Sequence, residues 1–176
     1  MRPQDRAFAR FIILTVVRSG AAAQTMLSWV LDGAVYFPAG VMKGDEAHRV
    51  ALSDWAWQQV AVEQLRPGGS LFGGKPLSGN SVMRVLTTLR KKSGVDFVLH
   101  DMRRSFRSWA AKSGIGRDAA ETALAHRIHR NAVDEAYMRH NFEREAERAL
   151  HSWQAHVRQL VEGVSGDSNV VPLARG

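Results

Sequence analysis

The chain contains no cysteine among its 176 residues, which removes disulfide frameworks, thiolate-ligated zinc and thiol catalysis from consideration. It also has no long apolar run. The longest candidate, residues 11 to 17, is far too short to span a bilayer and is not followed by a signal-peptide cleavage pattern. A soluble, cytoplasmic protein is therefore expected. Tyrosine is scarce, with only Tyr36 and Tyr137 present, so any chemistry that needs a phenol has two candidates.

What is present is apolar material sufficient for a core, with 45% hydrophobic residues, and an excess of positive charge. The formal net charge of +7 favours a polyanionic partner, because a basic surface gains affinity by releasing counterions condensed on phosphates.

Periodicity predicts a mainly α domain with a small antiparallel β-sheet. Residues 5 to 29 read as helical, with a break at Ser19-Gly20 and Arg18 beside it. Two short apolar runs, 34 to 37 and 49 to 52, read as strands with Lys43 between them. Ser53 is a predicted N-cap for a helix reaching about residue 66, where Pro67-Gly68-Gly69 stops it. After a loop, a helix from Ser81 closes in Arg90-Lys91-Lys92 ahead of Gly94, as the helix dipole favours. Three short helices follow, over 100 to 112, 116 to 125 and 132 to 140. A longer amphipathic one covers 143 to 162. Residues 1–162 are taken as one domain and 163–176 as a flexible C-terminal tail.

Residues 84 to 107 concentrate seven Lys/Arg, namely Arg84, Arg90, Lys91, Lys92, Arg103, Arg104 and Arg107, against Asp96 and Asp101. Such a segment suits a phosphate backbone, although a solvated helix face gives the same pattern. Within it, His100 and Arg103 are three apart and project from one helix face. Arginine offers a planar fork for two phosphate oxygens and histidine exchanges protons near neutral pH.

The ordered set is more specific than any member. Thr15-Val-Val-Arg18 comes first, then Met42-Lys43 followed by Glu46-Ala-His-Arg-Val-Ala-Leu-Ser53. Next come His100-Asp-Met-Arg-Arg-Ser-Phe106, Leu124-Ala-His126 and Asn131-Ala-Val-Asp-Glu-Ala-Tyr137. This series resembles the catalytic domain of tyrosine recombinases, the phage-integrase family, and most closely the integrases of satellite phages and genomic islands. The resemblance covers residues 11 to 153. It implies site-specific strand cleavage and rejoining of double-stranded DNA through a 3′-phosphotyrosine, with no cofactor and no metal. By that resemblance Arg18 and Arg103 clamp the phosphoryl oxygens and Lys43 is the general acid. His100 is the proton acceptor or a phosphate ligand, His126 donates a hydrogen bond to the phosphate, and Tyr137 is the nucleophile. It also implies a homotetramer on DNA, in which a C-terminal segment passes to a neighbour, and an N-terminal DNA-clamping domain. The chain begins almost at the catalytic domain and is expected to be a fragment.

The chemistry agrees with those roles. Negative charge builds on phosphoryl oxygens during attack, and preorganised cations stabilise it. A phenol with an ordinary pKa of about 10 needs proton removal and a cationic field to attack.

Two departures stand out. Ala21 replaces the acid the family places three residues after its first arginine, and Ala51 replaces a proline. The first keeps a catalytically silent DNA-binding remnant open as an alternative, beside a type IB topoisomerase-like enzyme. His48, His129 and His140 are expected at the surface.

Overall fold

The computed structural model describes residues 1–60, 69–126 and 132–163, with side chains from residue 142 onward in the last stretch. Among the described residues, α-helices and strands lie in the order α1 (Pro3–Thr15), α2 (Ser19–Ala23), β1 (Val30–Leu31), β2 (Ala34–Phe37), β3 (His48–Ala51), α3 (Asp54–Val60), α4 (Gly79–Ser93), α5 (His100–Lys112), α6 (Arg117–Ala123) and α7 (Ala132–Glu162), with short 3-10 turns at Leu27–Trp29 and Ala39–Val41. The expected mainly helical architecture with a small antiparallel sheet is what folds.

The sheet order is β1-β2-β3, antiparallel throughout. Val35 pairs with Val50 and Phe37 with His48, and Val35, Phe37 and Val50 enter the core. Strand β1 was not anticipated. Its signal is the Asp32-Gly33 dipeptide, whose φ angles of 48° and 70° give the two left-handed residues of a type I′ hairpin turn. Lys43 lies in the β2–β3 connection, as expected, and is exposed.

The break in the first helical region falls at Val16–Arg18, upstream of the expected Ser19-Gly20, which instead open α2. Val16 is left-handed at φ 50° and its N–H closes α1 on the Ile12 carbonyl. A β-branched residue is strained there, and a buried contact described below holds the turn. The expected helices over 132 to 140 and 143 to 162 are one continuous helix, α7, of 31 residues. Nothing between them is a helix breaker, because His140-Asn141-Phe142 contains neither Gly nor Pro.

Caps explain the start of α3 and both ends of α4. The Ser53 hydroxyl accepts from the Ala56 N–H at 3.2 Å, opening α3; its far end, expected near residue 66, lies outside the described residues. Ser78 caps α4 by accepting from the Ser81 N–H, and Gly94 at φ 69° ends it in the left-handed form.

Helix α7 ties the layers together. Ala146, Ala149, Leu150 and Trp153 are buried, and the Trp153 indole donates to the Ile13 carbonyl at 2.7 Å. Gln154, 0% exposed, donates to the carbonyls of Leu14 and Ala51 and accepts from the Ser53 N–H at 2.8 Å. One side chain thereby satisfies the ends of α1 and β3 and the start of α3, groups that would otherwise be buried unpaired. The buried stretch of α7, from Ala146 to Gln154, is therefore packed against its own chain.

Candidate phosphate-binding site

Arg103 is the centre of the site. It is 4% exposed on the inward face of α5, and its guanidinium reaches across to two backbone carbonyls. Nη1 donates to Val16, in the turn that ends α1, and Nη2 donates to Leu124 at 2.5 Å, just past α6. These bonds explain why the chain turns where it does: a buried cation needs acceptors, and the strained Val16 turn presents one. Arg103 Nε is buried with no hydrogen-bond partner among the described residues. Burial, with repulsion from Arg18, lowers its pKa to about 10 against the opposing pull of Glu121.

A cleft of about 540 Å³ opens beside it, lined by Arg18 and Ala21 of the α2 end, Met42 and Lys43 of the β2–β3 connection, and His100 and Arg103 of α5. Four of the six expected catalytic residues thus meet on one cavity from three distant segments. Arg18 is the N-cap residue of α2. His100 opens α5 and is exposed. Its pKa is lowered by partial desolvation and by Arg103 and Arg104, against Asp101, so the neutral ring is favoured. Ala21, where an acid was expected, is buried and adds no charge.

His126 reaches the site from the other side of Arg103. Its Nε2 is 2.9 Å from Arg103 Nη2, and its Nδ1 contacts Glu121 Oε2. The other Glu121 oxygen lies 2.8 Å from Arg107 Nη2, an ion pair without hydrogen-bond geometry. Ala125, between Leu124 and His126, is left-handed at φ 50°, and this turn aims the Leu124 carbonyl and the His126 ring at one guanidinium. Tyr137 lies on α7, with its side chain outside the described residues.

Two participants were not recognised from the sequence. Glu121 sits one helical turn and a half before His126, a spacing that carries no motif. His48, expected at the surface, instead has a buried Nε2 without a hydrogen-bond partner among the described residues. Its ring lies under β3 against the Ala123 backbone. Burial lowers its pKa to about 4, with Ala123 opposing and the cations Arg103 and Arg18 assisting. The pairing of His48 with Phe37 shows the reason, since both belong to the sheet face that packs inward. His129 and His140 lie outside the described side chains.

Most of the expected DNA-contacting cations are held by acids. Arg84 is 3.5 Å from Asp5, Arg90 3.0 Å from Asp96 and Arg104 2.9 Å from Asp101, while Arg107 serves Glu121. Lys91 and Lys92 are exposed at the end of α4. Among the described residues no group of three or more His, Asp or Glu is arranged for a metal ion, and no helix is long and apolar enough to cross a membrane.

No family model and no curated protein sequence matches the chain. A solved structure does: the XerH site-specific recombinase bound to difH substrate in a pre-cleavage complex, at a TM-score of 0.56 and 16% identity, over 77% of this chain. The chain spans 46% of the length of that recombinase. At this identity the likeness establishes the fold, so the chain has the fold of part of a site-specific recombinase.

Proposed function

We propose that this chain is the catalytic domain of a tyrosine recombinase, cleaving and rejoining double-stranded DNA in site-specific recombination. The observation that carries the reading is the convergence of Arg18, Lys43, His100 and Arg103 on one cleft. Two arginines, one deeply desolvated, form a cationic seat for a phosphodiester, since a bound phosphate relieves both their mutual repulsion and the unpaired Arg103 Nε–H. Lys43, exposed on a sheet connection at the rim, is free to reach the departing 5′ oxygen and protonate it. Tyr137 attacks phosphorus as its phenolic proton passes to His100; the bond to the 5′ oxygen breaks as the tyrosyl ester forms, Lys43 supplying the proton to that oxygen, and a 5′-hydroxyl later reverses the exchange without ATP. The fold shared with a DNA-bound site-specific recombinase supports the same reading. The narrower kinship with satellite-phage and genomic-island integrases rests on the ordered motifs, and a tetramer on DNA is what membership of that family would imply.

A nicked duplex oligonucleotide tests the chemistry. Wild type should form a covalent protein–DNA adduct that survives denaturation and excess EDTA, and Tyr137→Phe should bind the duplex and form none. An adduct with the Phe variant would displace Tyr137 from its role. Binding without any adduct in the wild type would identify a silent DNA-binding remnant.

A further inference from the structure

A neutral imidazole has one N–H and one lone pair. At His126 both are committed. The Glu121 carboxylate only accepts, so Nδ1 carries the proton; Arg103 Nη2 only donates, so Nε2 supplies the lone pair at 2.9 Å. No other tautomer satisfies both neighbours. His126 in this state cannot donate to a phosphate, because the nitrogen facing Arg103 has no hydrogen.

The two neighbours press the ring in opposite directions. A proton on Nε2 would set N–H against N–H and place a cation beside the Arg103 guanidinium. The carboxylate of Glu121, in contrast, favours the imidazolium. A phosphate seated on Arg103 changes this balance: its negative charge offsets the guanidinium, and its oxygens compete for the Nη2 hydrogens. The constraint that kept Nε2 bare is then removed, while Glu121 remains. The other titratable or charged groups facing this cluster, among the described residues, are Arg107 on Glu121, Arg18 and His100 along the cleft and His48 beneath Arg103.

We propose that Glu121 is a positioning residue that makes His126 take up a proton at Nε2 when a phosphate engages Arg103, converting His126 from the acceptor of Arg103 into a donor to the phosphate. The proton comes from solvent and no covalent bond changes in this step. The inference rests on the proposed function for the identity of the anion, a DNA phosphodiester. It also locates the acid lacking at Ala21: the carboxylate that orients the site comes from α6 instead of α2.

The test is nitrogen-15 NMR of the histidine rings in the full chain at neutral pH, first free and then titrated with orthophosphate. Free protein should show His126 neutral with the proton on Nδ1, and saturation should convert it to the doubly protonated ring. In Glu121→Gln, which preserves an acceptor oxygen for Nδ1 but not the charge, phosphate should bind and His126 stay neutral. A His126 that stays neutral in phosphate-saturated wild type overturns the proposal even if the Gln variant does not fold. So does equal proton uptake in a folded Gln variant, or failure of orthophosphate to perturb the Arg103 and His126 resonances at any concentration. Strand cleavage is scored separately: an inactive wild type with intact proton uptake refutes the recombinase reading alone, and an active one without uptake refutes this inference alone.

Discussion

His48 provides a stability measurement whose sign and size follow from its place beneath β3. In the unfolded chain its pKa returns to 6.5, whereas burial in the folded protein lowers it to about 4. Between those values the unfolded state binds a proton that the folded state does not, so acid draws the equilibrium toward unfolding. The stability associated with the neutral ring is complete above pH 6.5 and is lost as pH falls to about 4. Linkage puts the loss at about 2 kcal/mol by pH 5 and about 3 kcal/mol by pH 4. Other groups titrate over the same range, so the informative quantity is the difference between wild type and His48→Gln, a side chain of similar reach that does not titrate. Urea unfolding of both proteins at pH 7 and pH 5 isolates it. Whatever the substitution costs at pH 7, that cost should shrink by about 2 kcal/mol at pH 5, and could reverse. A wild type and variant that lose stability in parallel would refute the burial of His48 against the Ala123 backbone and near Arg18 and Arg103.

The parts of this molecule that are legible in the sequence are those decided by near neighbours in the chain. Gly94 after three basic residues ends α4, Ser53 caps α3, and α5 runs over His100–Lys112 as its periodicity predicts. The ordered motifs pointed to four residues, Arg18, Lys43, His100 and Arg103, that the fold brings from distant segments to one cleft. The misplaced boundaries have local causes as well. Gly20 lies in the first turn of α2, where a glycine does not break a helix, and β1 is only two residues long. Other features depend on partners distant in sequence. Val16 adopts a left-handed turn that no propensity predicts, stabilised by Arg103, 87 residues later. His48 reads as a surface residue and Glu121 draws no notice in a linear reading, because neither strand alternation nor helix pitch reveals that the fold brings His48 against Ala123 and Glu121 against His126 and Arg107. The same limit applied to the basic segment: counting charges from Arg84 to Arg107 does not show that Asp5 and Glu121 already occupy two of them.

Two further substitutions probe the scaffold of the site. Ala125→Gly should be neutral or stabilising by up to about 1.5 kcal/mol, since the left-handed conformation costs a residue with a Cβ roughly 1–2 kcal/mol and glycine gives back about 0.4–1 kcal/mol in unfolded-state entropy; a loss above about 1 kcal/mol in thermal or urea unfolding would show that the alanine methyl matters more than the φ of 50°. Gln154→Leu addresses how α7 is held. The leucine fills a similar volume and adds apolar contact, so if burial alone fastened the helix the change would be harmless. The structure predicts otherwise, because the substitution leaves the Ser53 N–H and the Leu14 and Ala51 carbonyls without the partner that Gln154 supplies. Each unsatisfied buried group costs about 1–3 kcal/mol, and relaxation of the α3 start toward solvent recovers part of it, so a net loss of about 3 kcal/mol is expected from urea unfolding. Hydrogen exchange should locate the damage: protection falls at the Ser53 amide and at the start of α3, while α4, which Gln154 does not touch, keeps its protection. A Leu variant as stable as wild type would refute the three-way contact and leave the anchoring of α7 to Trp153 and its apolar neighbours.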